Sequence, residues 1–230
     1  MTTKDEKALR EQICKVGREL YRFRLVDNHA GNISARLDDE RILITPSGVS
    51  KGFMEPDQLI VIDRSGSHIN ARDDGLKAST ETPMHLAAYD QRDDIGSIVH
   101  AHPAHAVALT IAGIDLNQAR IPEAIMILGQ IPTLPYATPS SNEDRDIIGE
   151  AIAKHDAVML SHHGSLTVGR DPWQAYMRLE TLEHVAHVTM LVRQLGGGTS
   201  INEEKMRRLL DLRQDFGLAR PGEDLSDLLG

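Results

Sequence analysis

Cysteine, tryptophan and aromatic side chains are what this sequence has least of. Its 230 residues include one cysteine, one tryptophan and 3% aromatics in all. The lone Cys14 cannot close an intramolecular disulfide, which removes the disulfide-stapled secreted folds and suits a reducing compartment. With so few rings, the core has to be aliphatic, built from Leu, Ile, Val and Ala. No apolar run approaches the ~20 residues that span a bilayer, and the opening MTTKDEKALR lacks the apolar centre of a signal peptide. A cytoplasmic protein without membrane contact is therefore expected. Positive charge is also short. The formal net charge of -9 argues against a nucleic-acid surface, and an anionic small molecule would have to be held by local donors. No linker, internal repeat or low-complexity stretch breaks the chain, so its length implies one domain over residues 1–230 with a sizeable core.

The periodicity predicts an α/β domain. Leu9, Ile13, Val16, Leu20 and Phe23 fall at helical spacing within residues 4–24. Strand-like segments follow at 33–37, 42–45 and 59–63, with Asp38-Asp39 and Arg64-Ser65-Gly66 as the turns. Connections that tight suit antiparallel pairing. A short helix is expected over 83–91, a buried strand over 97–102 and an all-round apolar core helix over 104–112. Ser140-x-x-Glu143 matches a capping box that would open a helix to about Lys154. Strands over 157–162 and 165–168 flank His163-Gly164. Asp171-Pro172 opens a helix that stops at Gly196-Gly197-Gly198. A last helix over 202–216 precedes an acidic tail, 217–230, expected to be loose. The fold class expected is a single α/β domain with a central, mostly antiparallel sheet flanked by helices.

Against this scarcity of aromatics stand 11 histidines. His100-Ala101-His102 lies in a predicted strand, where residues i and i+2 share a face and can place two imidazoles side by side. Taken alone, the pair is better read as a core histidine beside a solvent-facing one. His105 falls in the next element and is read as a supporting or structural residue. His162-His163-Gly164 joins two predicted strands, and at most one of its histidines can face a given pocket. Glu81, in Ser79-Thr80-Glu81 at the start of a short helix, adds a carboxylate. Three imidazoles and a carboxylate from three separate elements suit zinc or a divalent ion of similar softness. The carboxylate precedes H-x-H, which is not the order of a cupin site.

In order along the chain stand AGNIS (30–34), LITPSG (43–48), STE (79–81), VHAHPAH (99–105), IPTLPYAT (131–138) and LSHHG (160–164). Together these blocks resemble the class II aldolase/adducin family, which includes fuculose-phosphate aldolase, rhamnulose-phosphate aldolase and ribulose-phosphate 4-epimerase. The resemblance covers about residues 5–195. It implies a Zn²⁺ site formed by Glu81, His100, His102 and His163, with Mn²⁺, Co²⁺ or Fe²⁺ as other occupants. It also implies reversible retro-aldol cleavage of a ketose phosphate through a zinc-stabilised enediolate, with Glu81 leaving the metal to carry a proton. The phosphate would be held by Asn32, Ser47, Gly48, Ser79 and Thr80, although Asn32 and Ser47-Gly48 could each be plain turn residues. Lys51 is a further cation to consider. The partners implied are a small sugar phosphate and further copies of the chain, as a homotetramer.

The sequence also departs from the family pattern. The family's aldolases place a tyrosine between the H-x-H and IPxxPYAT blocks, whereas this chain has none between Tyr89 and Tyr136. Glu123, in Ile121-Pro122-Glu123-Ala124-Ile125-Met126, either takes that catalytic role or makes a surface ion pair. A second tyrosine often contributed by the family's C-terminal tail is also missing, since none follows Tyr176. Three enzymatic alternatives stay open: decarboxylation of a 3-keto sugar-acid phosphate, a 4-epimerase (whose family members carry aspartate at the Glu81 position) and a zinc hydrolase. The non-enzymatic alternative is an adducin-like module.

Overall fold

A computed structural model describes residues 3–69, 73–118, 121–199, 201–220 and 222–223. The elements are helix α1 (Thr3–Arg22), strands β1 (Asn32–Arg36), β2 (Arg41–Ile44) and β3 (Ile60–Asp63), helix α2 (Thr82–Gln91), strand β4 (Ser97–Ala101) and helix α3 (Ala104–Ile111). A π-helical turn (Ala124–Leu128) and strand β5 (Thr133–Leu134) follow. Then come helix α4 (Asn142–Ile152), strands β6 (Ala157–Leu160) and β7 (Gly164–Gly169), and helices α5 (Pro172–Gln194) and α6 (Glu203–Asp215). The strands form one seven-stranded sheet in the order β3-β2-β1-β4-β7-β6-β5, antiparallel throughout except for the short β5–β6 pair. The expected α/β class and mostly antiparallel sheet are therefore correct.

The pleat divides the aliphatic side chains between two layers. Ile33, Ala35, Leu43, Val99 and Ala101 face α1 and α5, whose Ile13, Val16, Leu20 and Leu179 complete one core cluster. Their neighbours one residue along, Ile42, Ile44, Ile98, Leu166 and Val168, face α2 and α4 and pack with Met84, Tyr89, Ile148 and Ile152. A third cluster joins Ala157 and Met159 of β6 to α3, α5 and the π-helical turn. Each buried Leu or Ile contributes roughly 1.5–3 kcal/mol of transfer free energy, so aliphatics alone can hold three layers together. Among the described residues, no helix is long and apolar enough to cross a membrane.

Several boundaries differ from expectation. The cap of α4 is Ser141, whose Oγ accepts the Asp144 N–H at 3.1 Å, while Ser140 sits at φ 66 just before it. The capping pair is thus Ser141-x-x-Asp144, one residue later than predicted. Helix α3 buries Ala106, Leu109 and Thr110 but leaves Ile111 exposed, so it is amphipathic and not apolar-buried all round. The π-helical turn and two-residue β5 went unforeseen, being too short for periodicity to register. Much of the tail expected to be loose (221 and 224–230) lies outside the described residues. Within them, the Glu223 carboxylate pairs with buried Arg213 at 3.0 Å.

Candidate metal centre

Three elements meet at one end of the sheet. Asn32 of β1 and His100 of β4 are direct cross-strand partners. Both side chains therefore project from the same face. His102, just past the end of β4, is tied by its N–H to the Leu25 carbonyl at 3.0 Å. Its Nε2 lies 2.9 Å from His100 Nε2, the same-side placement expected of H-x-H. The β6–β7 hairpin turns through Ser161-His162-His163, with His162 in the left-handed region at φ 61. That kink sends the two neighbours apart. His162 is exposed and takes Ser161 Oγ as its Nδ1 partner, whereas the His163 ring packs 4.8 Å from His100 and 5.0 Å from His102, centre to centre.

Gly164 permits this convergence. A Cβ there would collide with the Ala101 carbonyl oxygen and stand 2.8 Å from His102 Cδ2 and 3.0 Å from His100 Cε1. No larger residue fits against both histidines. The glycine of H-H-G is thus a packing requirement of the site.

Glu81 is the N-cap residue of α2, yet its side chain does not cap the helix. Its Oε1 lies 3.2 Å from His163 Nε2 and its Oε2 3.4 Å from His100 Nε2, and Oε2 also accepts the Asn32 Nδ2–H at 2.7 Å. The three imidazoles can each offer a nitrogen within 4.8 Å of the others. The four residues expected from sequence to hold a metal are therefore brought together.

The protonation pattern decides what the cluster can hold. His100 Nδ1 faces the Ser165 carbonyl at 2.9 Å and so carries the ring's proton, leaving Nε2 bare. Burial pushes the His100 pKa down to about 3, with the neighbouring histidines acting in the same direction. His102 is also lowered, first by burial and then by His163. Burial of Glu81 acts to raise its pKa, but the fields of His100 and His163 and the hydrogen bonds from His163 and Asn32 outweigh it, holding the carboxyl well below the usual range. At neutral pH, a bare imidazole nitrogen and an ionised carboxylate thus converge with two further imidazoles. Protons on His102 Nε2 and His163 Nε2 can bridge these contacts, and with those protons removed all four residues aim donors at one point, a donor set that fits a divalent ion of zinc-like softness.

The hydroxyl-bearing loops flank this cluster. Pro46 bridges to Ala78, Ser47 N–H donates to the Lys77 carbonyl at 2.9 Å and Ser79 N–H to the Thr45 carbonyl at 3.2 Å. Ser47-Gly48 and Ser79-Thr80 are therefore neighbours, next to Glu81 and the N-terminus of α2. Ser47, Gly48 and Thr80 are exposed, and Gly48 takes φ 74. Asn32 is buried, joined to Glu81. Lys51 is buried and its Nζ donates to the His29 and Val49 carbonyls at 2.9 and 2.7 Å, tying two loops together. Burial lowers its pKa to about 8. An open cavity of about 800 Å³ reaches His102, with Arg22, Arg24, Asp27 and Asn28 in its wall.

Two further candidates sit elsewhere. His105 Nδ1–H donates to Glu183 Oε1 at 2.7 Å and its ring stacks on His187 at 4.1 Å, a structural arrangement. Glu123 is exposed at the N-cap of the π-helical turn, and among the described residues no hydrogen bond or ion pair joins it to the histidines. Sequence reasoning passed over His85, Ser34 and Tyr89, a buried string behind Asn32. Its signal was available, since Glu81, His85 and Tyr89 recur every four residues while Asn32, Ser34 and Arg36 alternate along a strand.

Known proteins carry the same arrangement of chain. Over 215 residues the chain is 34% identical to a 3-oxo-tetronate 4-phosphate decarboxylase of Cupriavidus necator, covering 92% of this chain and 97% of that protein. It is 32% identical over 184 residues to an L-fuculose phosphate aldolase of Methanococcus maripaludis, covering 80% and 97%. The crystal structure of L-fuculose-1-phosphate aldolase from Thermus thermophilus superposes with a TM-score of 0.72 at 30% identity, covering 84% of this chain and 98% of that one. Residues 11–190 match the family described as Class II Aldolase and Adducin N-terminal domain. The chain belongs to the class II aldolase and adducin family.

Proposed function

We propose that the protein is a divalent-metal-dependent carbon–carbon lyase acting on a small phosphorylated keto substrate, with Glu81, His100, His102 and His163 holding the ion, zinc by donor chemistry. The observation that carries this reading is the meeting of an ionised Glu81 with His100 Nε2 and His163 Nε2, beside two hydroxyl-bearing loops. The ion would supply Lewis acidity, drawing charge from the substrate carbonyl as the adjacent carbon–carbon bond breaks.

The chain's own groups would do the rest. Ser47, Gly48, Ser79 and Thr80 would offer hydroxyl and N–H donors to the phosphate near the positive end of α2, since a net charge of -9 draws in no anion at long range. Asn32 would present its amide N–H from the floor. Glu81, ionised at neutral pH and in touch with two ligands, would accept the hydroxyl proton released in retro-aldol cleavage and return it to the carbon left electron-rich. Arg22 and Arg24 in the cavity wall are the cations that a second anionic end of the substrate would meet.

Two bonds fit such a site. The first reading is retro-aldol cleavage of a ketose phosphate. The second is decarboxylation of a 3-keto sugar-acid phosphate, in which the bond electrons stay on the α-carbon and no aldehyde leaves. Two observations favour the second: the 34% identity to a protein named as a decarboxylase, and the lack of any tyrosine between 89 and 136 to protonate a departing aldehyde. Assays of the metal-loaded protein with ketose 1-phosphates and with 3-keto-acid 4-phosphates, scoring aldehyde and CO₂ separately, decide between them. Release of neither product would refute the lyase reading. The proposal includes a homotetramer, for which light scattering should give four chains; a monomer would remove it.

A further inference from the structure

The network behind Asn32 is longer than a ligand site needs. On β1, Asn32, Ser34 and Arg36 alternate, so their side chains share the face turned to α2. On α2, His85 and Tyr89 follow Glu81 at intervals of four residues, one face of a helix. The two ladders interleave. Tyr89 Oη lies 2.9 Å from Ser34 Oγ, which lies 2.7 Å from His85 Nδ1. His85 Nε2 meets Asn32 Oδ1, and Asn32 Nδ2 donates to Glu81 Oε2 at 2.7 Å. Ser34 and His85 are fully buried and Tyr89 is 1% exposed, among Ile44, Ile98 and Met84.

One proton assignment satisfies every member. The Glu81 carboxylate only accepts, so the Asn32 NH₂ must face it and Oδ1 must face His85. Because Oδ1 only accepts, His85 Nε2 must carry a proton. Burial holds the ring neutral, with its pKa pushed down to about 4. Nδ1 is then bare and takes the Ser34 hydroxyl proton, which leaves Ser34 Oγ to accept from Tyr89. Each link points its proton toward Glu81. An apolar helix–strand contact would serve folding at less desolvation cost, so a polar string ending on a functional carboxylate calls for another explanation.

We propose that His85 is a positioning residue: as the Nε2–H tautomer backed by Ser34 and Tyr89, it locks the Asn32 amide with its N–H side toward Glu81, and so aims the carboxylate at the metal cleft. This rests on the reading of Glu81 as a ligand and proton carrier. With the amide locked, Glu81 Oε2 is fixed between Asn32 and His100, and Oε1 is left for His163. A flipped amide would set Oδ1 against the carboxylate and push it away. When Glu81 moves, the lock still leaves Asn32 a donor toward the cleft and never an acceptor, which suits an anionic ligand.

The test compares wild type with His85→Leu, His85→Gln, Glu81→Ala and the Leu/Ala double variant. Zn²⁺ and Co²⁺ affinity is measured by competition with a chromophoric chelator, alongside melting of each chelated protein. His85→Leu should weaken ion binding by about 10- to 100-fold. His85→Gln, which keeps an amide N–H, should recover most of that. In the Glu81→Ala background, His85→Leu should cost nothing more, because no carboxylate remains to aim. An equal loss with and without Glu81, or unchanged affinity in a folded His85→Leu, overturns the proposal. Should His85→Leu fail to fold, the Gln variant and ¹⁵N NMR of the metal-free wild type decide. NMR should find an Nε2-protonated ring at His85, and an Nδ1-protonated ring overturns the lock. A wild type that binds no ion yet shows the Nε2-protonated ring would sink the metal reading of the site and leave the lock standing.

Discussion

Two histidine–carboxylate groups lie on either side of Pro103, and they are built for different ends. In one, Glu183 reaches from α5 to the start of α3. Its Oε1 accepts the His105 backbone N–H at 3.0 Å and the ring Nδ1–H at 2.7 Å, and its Oε2 accepts the Ala106 N–H at 3.0 Å. Both oxygens are used by fixed donors and the imidazole is stacked on His187. In the other, Glu81 takes one amide N–H on Oε2, no helix N–H on its side chain, and turns both oxygens toward His100 and His163. The difference lies in what else touches the carboxylate. Helix N–H groups consume the Glu183 carboxylate, which leaves it a fixed support, whereas the Glu81 carboxylate keeps both oxygens turned to imidazoles, which is what the proposed ligand role requires.

Substitutions on the two sides should separate accordingly. Glu81→Gln should keep much of its metal on three imidazoles, yet lose about 10²- to 10⁴-fold in turnover, the usual worth of a general base. Turnover and metal content measured on one preparation test this. A loss of activity strictly proportional to lost metal would reduce Glu81 to a ligand.

The next effect is on stability. His85 and His100 sit folded at about 4 and about 3, against about 6.5 in an unfolded chain. Below 6.5 the unfolded chain binds protons that the folded one refuses, so stability falls as pH is lowered. Glu81, held below its ordinary value, adds a further loss below about 4.5 in the same direction. For the chelated protein, the loss should reach about 2 kcal/mol per buried ring by about pH 5. Urea melts across that range check it, and a flat profile would mean these rings are not held neutral.

Smaller still is the phosphate contribution. Ser79→Ala and Ser47→Ala should each raise KM for a phosphorylated substrate by about 10- to 150-fold, the equivalent of about 1.5–3 kcal/mol for a charge-assisted hydrogen bond. KM for the unphosphorylated analogue should hardly move. Equal effects on both substrates would mean that these loops do not hold the phosphate. Glu183→Gln should be mildest, costing about 1 kcal/mol of stability through the weakened α3 cap while leaving metal content and turnover as they were. A drop in metal content there would erase the contrast between the two groups.

Much of this was legible in the residues, and the limits have physical causes. Turn residues and periodicity located β1–β4, α5 and α6 to within a residue or two, because Asp38-Asp39 and Arg64-Ser65-Gly66 bound the early strands, and Asp171-Pro172 and Gly196-Gly197-Gly198 bound α5. The α4 cap slipped by one residue because Ser140 and Ser141 are equivalent in sequence, and only the left-handed turn at Ser140 distinguishes them. H-x-H on one strand and a histidine pair between two strands are local patterns that mark the cluster, while the choice of His163 over His162 and the ligand role of Glu81 came from the resemblance to class II aldolases. His85 went unread because a histidine inside an apolar helix resembles ordinary core, and its meaning comes from Asn32 and Ser34 across the sheet. Glu123 was singled out for its place in the chain order, and within one chain it stands exposed and apart.

The ion itself is the most direct test. Elemental analysis of purified wild type, His162→Ala and His163→Ala, with melting to verify folding, should give about one divalent ion per chain in the first two and little in the third. Loss of metal from His162→Ala with retention in His163→Ala, or a metal-free wild type after reconstitution with zinc, would contradict the assignment of this cluster as a metal centre.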